Sequence, residues 1–388
     1  MSDHEKHPSK GSAFASEIVD RARHGGGVWT LPGGQILLPS VFGFCRGVTR
    51  ALEMLEQSVA QHGQGIGADI NRPQRLFLLG QIIHNPWVNA YFQRQGVRML
   101  SREDLGHLES IITADDVAII PAFGVPLPIE QRLAGIGCRI VDTSCGDVRR
   151  LWSWAQKAAG EGFGVLIFGR ADHDETVVTR SRLEACGGKY VVAGKLEQVR
   201  QFCGLVSGQM PASKFRECFG ANASNADSLS PFERLAQVSQ TTMLYDETMT
   251  VRELITQAFA QRFGPEQAKE RLLFQPTVCK ATQARQAAAV ELCQSRPDVV
   301  IVVGGFGSSN TRHLYELARQ YAAAYFIEDA RAILDERHLA TADDQGDPRV
   351  VENWLPSRRP LRLAVLAGAS SPEVVIGQVM QKLAAFLA

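Results

Sequence analysis

The chain has 388 residues, too many for one small core, so two or three domains are expected. Its 41 basic and 41 acidic residues cancel, which removes the electrostatic case for a nucleic-acid surface. No apolar run approaches the roughly 18 residues of a membrane span, and Met1-Ser2-Asp3-His4-Glu5-Lys6-His7 is polar and acid-containing, unlike a targeting segment, so a cytoplasmic protein is expected.

Residues 1–34 read as an N-terminal extension with Gly25-Gly26-Gly27 as a flexible joint. From there β-like runs alternate with helical patterns, the sign of parallel α/β layers, in three lobes at 35–144, 145–270 and 271–388. In the first lobe, Ile36-Leu37-Leu38 leads through Gly43-Phe44 to Cys45 and a helix over 47–62. Leu76-Phe77-Leu78-Leu79-Gly80 then precedes Ile83-His84-Asn85 and a helix over 86–96, and Ala118-Ile119-Ile120-Pro121-Ala122-Phe123-Gly124 is a further strand end. The second lobe follows Arg139-Ile140-Val141-Asp142-Thr143-Ser144-Cys145 with a helix over 147–161, then Val165-Leu166-Ile167-Phe168-Gly169 and Asp172-His173-Asp174-Glu175-Thr176. Between about 203 and 232 the pattern lapses into Gly, Ser, Asn, Ala and Pro, read as a surface insertion, before Val238-Ser239-Gln240-Thr241-Thr242 and a helix over 250–263. The third lobe runs from Leu272-Leu273-Phe274 to Cys279, with helices over 280–294, 310–322 and 372–386. It also holds Val299-Val300-Ile301-Val302-Val303-Gly304, Ser308-Ser309-Asn310-Thr311 and Leu363–Ser371, with Ser371 as cap and Pro372 in the first turn of the last helix.

The same unit thus occurs three times: an apolar run, a cysteine, a helix, a second apolar run ending in glycine, and a polar loop. In open parallel sheets the loops at strand carboxyl ends carry ligand groups, because strand ends and helix N-termini leave backbone N–H groups unpaired. With about 100 residues or more between successive cysteines, a local zinc finger is excluded. Three thiolates leave one metal position open, which points to chemistry at the metal. Cys138, Cys186, Cys203, Cys218 and Cys293 lack this setting and read as small hydrophobes, since a reducing compartment disfavours a disulfide framework. The hydroxyls and backbone donors at the strand ends suit a phosphate or diphosphate. Gly305-Phe306-Gly307 lacks the third glycine of a dinucleotide loop. His4, His7, His24, His62, His107, His313 and His338 read as structural or solvated.

From about residue 36 onward the chain resembles the 4-hydroxy-3-methylbut-2-enyl diphosphate reductases, the LytB-type iron–sulfur enzymes that end the non-mevalonate isoprenoid pathway. The motifs that carry the resemblance come in family order: Gly43-Phe44-Cys45, Ile83-His84-Asn85, Val141-Asp142-Thr143-Ser144-Cys145, His173-Asp174-Glu175-Thr176, Gln240-Thr241-Thr242, Cys279-Lys280-Ala281-Thr282-Gln283, Ser308-Ser309-Asn310 and Ala367-Gly368-Ala369-Ser370. Pro121-Ala122-Phe123-Gly124, Gln240-Thr241-Thr242-Met243-Leu244 and the long insertion are most similar to the cyanobacterial and plastid branch.

The resemblance implies a trefoil of three pseudo-threefold-related α/β lobes around a central [4Fe-4S] cluster. Cys45, Cys145 and Cys279 would bind three irons, and the fourth would take the allylic hydroxyl of the substrate. Two electrons and two protons would then remove that hydroxyl as water, giving isopentenyl and dimethylallyl diphosphates. By the same carry-over Glu175 would deliver the proton and Thr241 would stand beside the reacting hydroxyl, while His84, His173, Thr242, Ser308, Ser309, Asn310 and Ser370 would bind diphosphate. Reduced ferredoxin or flavodoxin is the implied electron donor. The chain departs from the family pattern at Phe123, where most bacterial members have histidine, at Gly146-Asp147, where proline and an apolar residue are usual, and at Asp174. Those departures motivate one rival, a paralogous cluster reductase with another allylic or hydroxylated substrate. The other rival is a non-catalytic iron–sulfur redox sensor, against which the retained Glu175 and diphosphate residues argue.

Overall fold

The computed structural model describes residues 12–62, 75–343 and 347–388, so His4 and His7 lie outside the described residues. The chain divides into two compact units, taken here in turn. The first comprises Met1–Glu56, Gln81–Gly96 and Lys280–Ala388. Its five-stranded sheet has the order Val28–Leu31, Gly34–Leu37, Leu361–Ala367, Val299–Val303, Ala323–Ile327. All neighbours are parallel except the hairpin at the Val28–Leu31 edge.

Val299–Val303 is a continuous β-branched run buried throughout, as a strand covered on both faces must be. Because side chains alternate along a strand, Val299, Ile301 and Val303 face Val375, Ile376, Val379 and Met380 of the helix Glu373–Ala385. Val300 and Val302 face the opposite way, among Leu314 and Tyr315 of Ser309–Ala318 and Ala289 of Lys280–Gln294.

The segment before residue 35 is built into this unit rather than appended to it. Ser16 caps the helix Glu17–His24 by accepting from the Val19 N–H, and Val19 and Ala22 enter the core. Arg23 pairs with Glu373 at 2.6 Å, and Val374 donates its N–H to the Phe14 carbonyl. The three glycines make a fixed turn, since the Gly27 N–H donates to Ala22 and the Gly27 carbonyl accepts from Leu38. The expected cap of the last helix also differs: the Ser371 hydroxyl donates to the Val303 carbonyl at 2.7 Å, leaving Pro372 as a cap without a side-chain bond.

The second unit comprises Gln57–Gly80 and Val97–Cys279 and holds two four-stranded parallel sheets. One has the order Val97–Met99, Leu76–Leu78, Val117–Ile120, Arg139–Asp142. The other has the order Leu272–Phe274, Leu235–Ser239, Gly164–Phe168, Tyr190–Ala193. The apolar runs before Cys145 and Cys279 are therefore edge strands of different sheets. Leu272–Phe274, expected to open the third lobe, lies beside Leu235–Ser239.

The insertion at 203–232 is not a bare surface loop. Phe202, Phe215, Phe219 and Phe232 pack ring against ring, with centroids 5.5–6.1 Å apart, inside this unit's core. Leu127–Ile136, Leu196–Ser207 and Asp174–Ala185 are among the helices here that the sequence pattern does not predict. In Asp174–Ala185, β-branched Thr176, Val177, Val178 and Thr179 mask the helical signal, and burial of Glu175, Thr176, Val178, Thr179 and Leu183 overrides their weak propensity. Among the described residues no helix is long and apolar enough to cross a membrane.

Candidate functional site

Within the first unit, six of the expected site residues form one connected neighbourhood. Cys45 directly precedes the helix Arg46–His62, and its Sγ accepts the Val48 N–H at 3.4 Å while its own N–H donates to the Ala369 carbonyl at 3.3 Å. The Ala369 N–H in turn donates to Asn310 Oδ1 at 2.9 Å. Ser308 caps Ser309–Ala318 by accepting from the Thr311 N–H, and the Ser370 hydroxyl lies 3.3 Å from it. Ser308, Ser309, Asn310 and Ser370 are all buried.

His84 follows its strand and precedes Asn85, which caps Pro86–Arg94. Gly305 runs directly against it: a Cβ there would fall 2.4 Å from the His84 carbonyl oxygen. Close backbone approach to His84, not a dinucleotide, therefore explains the glycine at 305. The Asn310 Nδ2 is buried with no hydrogen-bond partner among the described residues. An unsatisfied buried amide donor is costly unless a ligand supplies the acceptor, and an anionic oxygen is the acceptor such a donor suits.

The second unit assembles the rest. The Cys145 N–H donates to the Ala122 carbonyl at 2.9 Å, which sets the start of the helix Gly146–Gly160 beside Phe123. The Phe123 ring meets the His173 imidazole edge to face, with centroids 6.1 Å apart. His173 caps Asp174–Ala185: its Nδ1 accepts the Glu175 N–H at 3.2 Å. That bond requires an unprotonated Nδ1, so the neutral ring carries its proton on Nε2, the nitrogen suited to donate to an anion.

Glu175 is 1% exposed, and both its carboxyl oxygens are held by one residue. Oε1 accepts the Thr241 N–H and Oε2 the Thr241 hydroxyl, each at 2.6 Å. Burial pushes its pKa up to about 7, with the charge of Asp147 adding to the rise and the two Thr241 bonds opposing it. Asp147 itself pairs with Arg150 at 3.0 Å. The Thr241 carbonyl accepts the Cys279 N–H at 3.0 Å, so the acid, the hydroxyl and the cysteine form one bonded chain. The neighbouring Thr242 hydroxyl accepts from Gln240 Nε2 at 2.6 Å, and Gln240 Oε1 accepts the Arg170 N–H. Nothing in the spacing of Gln240 signals this bracing role.

None of the eight cysteines is in a disulfide, and Cys45, Cys145 and Cys279 are part-exposed. By contrast, burial pushes the Cys203 thiol up to about 12 and Cys293 to about 11, and raises Cys138, which leaves those three as inert hydrophobes. Among the described residues no group of three His, Cys, Asp or Glu side chains is placed to share a single metal ion. A donor set of three thiols, each at the start of a helix, suits a group whose irons take one thiolate apiece.

In each unit, parallel sheets with thiols and polar side chains on the loops at their strand ends are the architecture of an α/β enzyme. The family described as LytB protein matches residues 36–384, and the chain belongs to that family. It is 32% identical over 374 residues to a 4-hydroxy-3-methylbut-2-enyl diphosphate reductase of Gloeothece citriformis, covering 96% of this chain and 90% of that protein. A reductase of the same name from a Synechococcus strain is likewise 32% identical, over 376 residues, with the same coverage. A solved structure of (E)-4-hydroxy-3-methyl-but-2-enyl diphosphate reductase is similar with a TM-score of 0.54 at 26% identity, over 90% of this chain and 98% of that one. The reductase structure from Plasmodium falciparum, at 20% identity and a TM-score of 0.63 over 90% and 87% of the two chains, shares the fold.

Proposed function

We propose that the chain reduces 4-hydroxy-3-methylbut-2-enyl diphosphate to isopentenyl and dimethylallyl diphosphates, with Cys45, Cys145 and Cys279 as ligands of a [4Fe-4S] cluster. The observation that carries this reading is the buried Glu175–Thr241 pair bonded onward to Cys279. A carboxyl with a pKa near neutrality is matched to giving and regaining a proton under physiological conditions. When bound, the cluster supplies electrons and a Lewis-acidic iron. The protein supplies the rest of the chemistry. Glu175 delivers a proton toward the departing oxygen, so that the hydroxyl leaves as water, and Thr241, held from both its N–H and its hydroxyl, keeps that carboxyl in place.

Diphosphate binding falls to His84, to His173 through Nε2, to Ser308, Ser309 and Ser370, to Asn310 through its open Nδ2, and to Thr242. Several hydrogen bonds to ionised oxygens add up without a lysine or arginine. Reduced ferredoxin or flavodoxin is the proposed donor, and the cytoplasm the proposed compartment.

The edge contact of Phe123 with His173 and the Asp147 charge acting on Glu175 favour one second reading, a paralogue acting on another allylic or hydroxylated substrate. One experiment tests both: anaerobic assay of the cluster-reconstituted protein with 4-hydroxy-3-methylbut-2-enyl diphosphate and a reduced viologen, with product identification. Turnover to the two C5 diphosphates supports the first reading. An intact cluster without turnover moves the assignment to the paralogue.

A further inference from the structure

Arg285 is 1% exposed, among the largest fully buried side chains in the protein. It lies in the helix Lys280–Gln294, where the surrounding alanines would suit a small apolar residue. Its Nε and Nη2 both donate to the Gly43 carbonyl, at 3.1 and 2.9 Å, and its Nη1 donates to the Ala281 carbonyl at 2.9 Å. Burying a guanidinium is expensive, and an apolar side chain of similar volume is often as stable or more so. The arginine therefore calls for an account beyond packing.

The carbonyl it grips belongs to Gly43, two residues before Cys45. Gly43 has a left-handed φ of 74°, a turn conformation that glycine adopts without the strain a side chain would bring. The planar fork of an arginine places two N–H groups on that one oxygen, which the single point charge of a lysine does not reproduce. Beyond the turn, the Phe44 ring packs on Phe14 at 5.5 Å, and the Cys45 N–H is held by Ala369. Arg285 thus fixes the entry of the loop whose exit is fixed by Ala369 and Val48.

We propose that Arg285 is a positioning residue for Cys45: by clamping the Gly43 carbonyl it sets where the Cys45 sulfur stands and so how firmly that sulfur holds its iron. This rests on the reading of Cys45 as a cluster ligand. The test compares reconstituted wild type, Arg285→Met, Arg285→Lys, Gly43→Ala and Cys45→Ser anaerobically. Three quantities are read: the rate of iron release to a chelator, the electron paramagnetic resonance spectrum of the reduced cluster, and the melting temperature.

Arg285→Met is expected to release iron about ten times faster with an altered spectrum, and Arg285→Lys to fall between it and wild type. Gly43→Ala strains the same left-handed turn without touching the buried arginine, since its Cβ would meet the Ser371 carbonyl oxygen at 3.5 Å and Ile376 Cδ1 at 3.7 Å, both ordinary contacts. It should move iron release and spectrum in the same direction, and with Arg285→Lys it decides the matter where Arg285→Met does not fold. Lower melting temperatures with wild-type iron release and spectra in these variants, while Cys45→Ser changes both, would overturn the role of Arg285. A wild-type cluster in Cys45→Ser would overturn the ligand assignment itself.

Discussion

Glu175→Gln separates the electrostatics of the site from its packing. Glutamine keeps the shape and both contacts, because its carbonyl accepts the Thr241 N–H and its amide donates to a Thr241 hydroxyl turned about its C–O bond. What disappears is the titration. The folded carboxyl has its pKa raised from 4.5 to about 7, so the folded state binds this proton more tightly than the unfolded chain does. Stability therefore falls as pH rises from about 4.5 through about 7 and then levels off. At about 1.4 kcal/mol for each tenfold change in proton affinity, ionised Glu175 costs the fold on the order of 3 kcal/mol. Anaerobic urea titrations at pH 5 and pH 8.5 should show Glu175→Gln nearly level with wild type at the lower pH and more stable by about that amount at the higher. Infrared spectroscopy reads the same proton directly, as a protonated-carboxyl band lost in the variant and titrating in wild type near neutral pH. Turnover should drop by about 10²-fold or more, the usual contribution of a positioned acid. A stability difference independent of pH would refute the raised pKa, and unchanged turnover would remove Glu175 from the proton path.

Cys279→Ser should weaken or abolish the cluster spectrum, whereas Cys203→Ala should leave it unchanged and cost about 1 kcal/mol from the small cavity, read by iron content and urea midpoint. Ser308→Ala removes the acceptor of the Thr311 N–H and one diphosphate donor, so KM should rise about tenfold with a smaller change in kcat and stability should fall by about 1 kcal/mol. Arg23→Met removes the guanidinium paired with the nearly buried Glu373 and should lower stability by about 1–3 kcal/mol, seen as earlier unfolding in urea.

The sequence reading and the structure part company where an interaction spans a long stretch of chain. The run Leu272-Leu273-Phe274 reads as a strand from its own residues, yet nothing in it says that Leu235–Ser239 is its neighbour. Likewise Gly34–Leu37 pairs with Leu361–Ala367, more than 300 residues away, which is why the segment before residue 35 belongs to a core and not to a tail. The phenylalanines of the insertion are scattered among Gly, Ser and Asn, and only their packing makes a cluster of them. Nothing in the helical run over 280–294 marks Arg285 as buried, because the carbonyl that holds it is 242 residues distant.

Local chemistry puts most of the candidate residues at strand ends and helix starts. A continuous β-branched run has to be a doubly covered strand, a glycine and a polar loop after such a strand have to lie at its carboxyl end, and the helix over 280–294 was bounded by its own pattern. These are constraints among residues a few positions apart, which a sequence records directly. The pKa of Glu175, the tautomer of His173, the open amide of Asn310 and the partners of each strand are set by desolvation and by hydrogen bonds to residues far away in the chain. Those energies depend on what surrounds a group in space, so only the folded structure decides them.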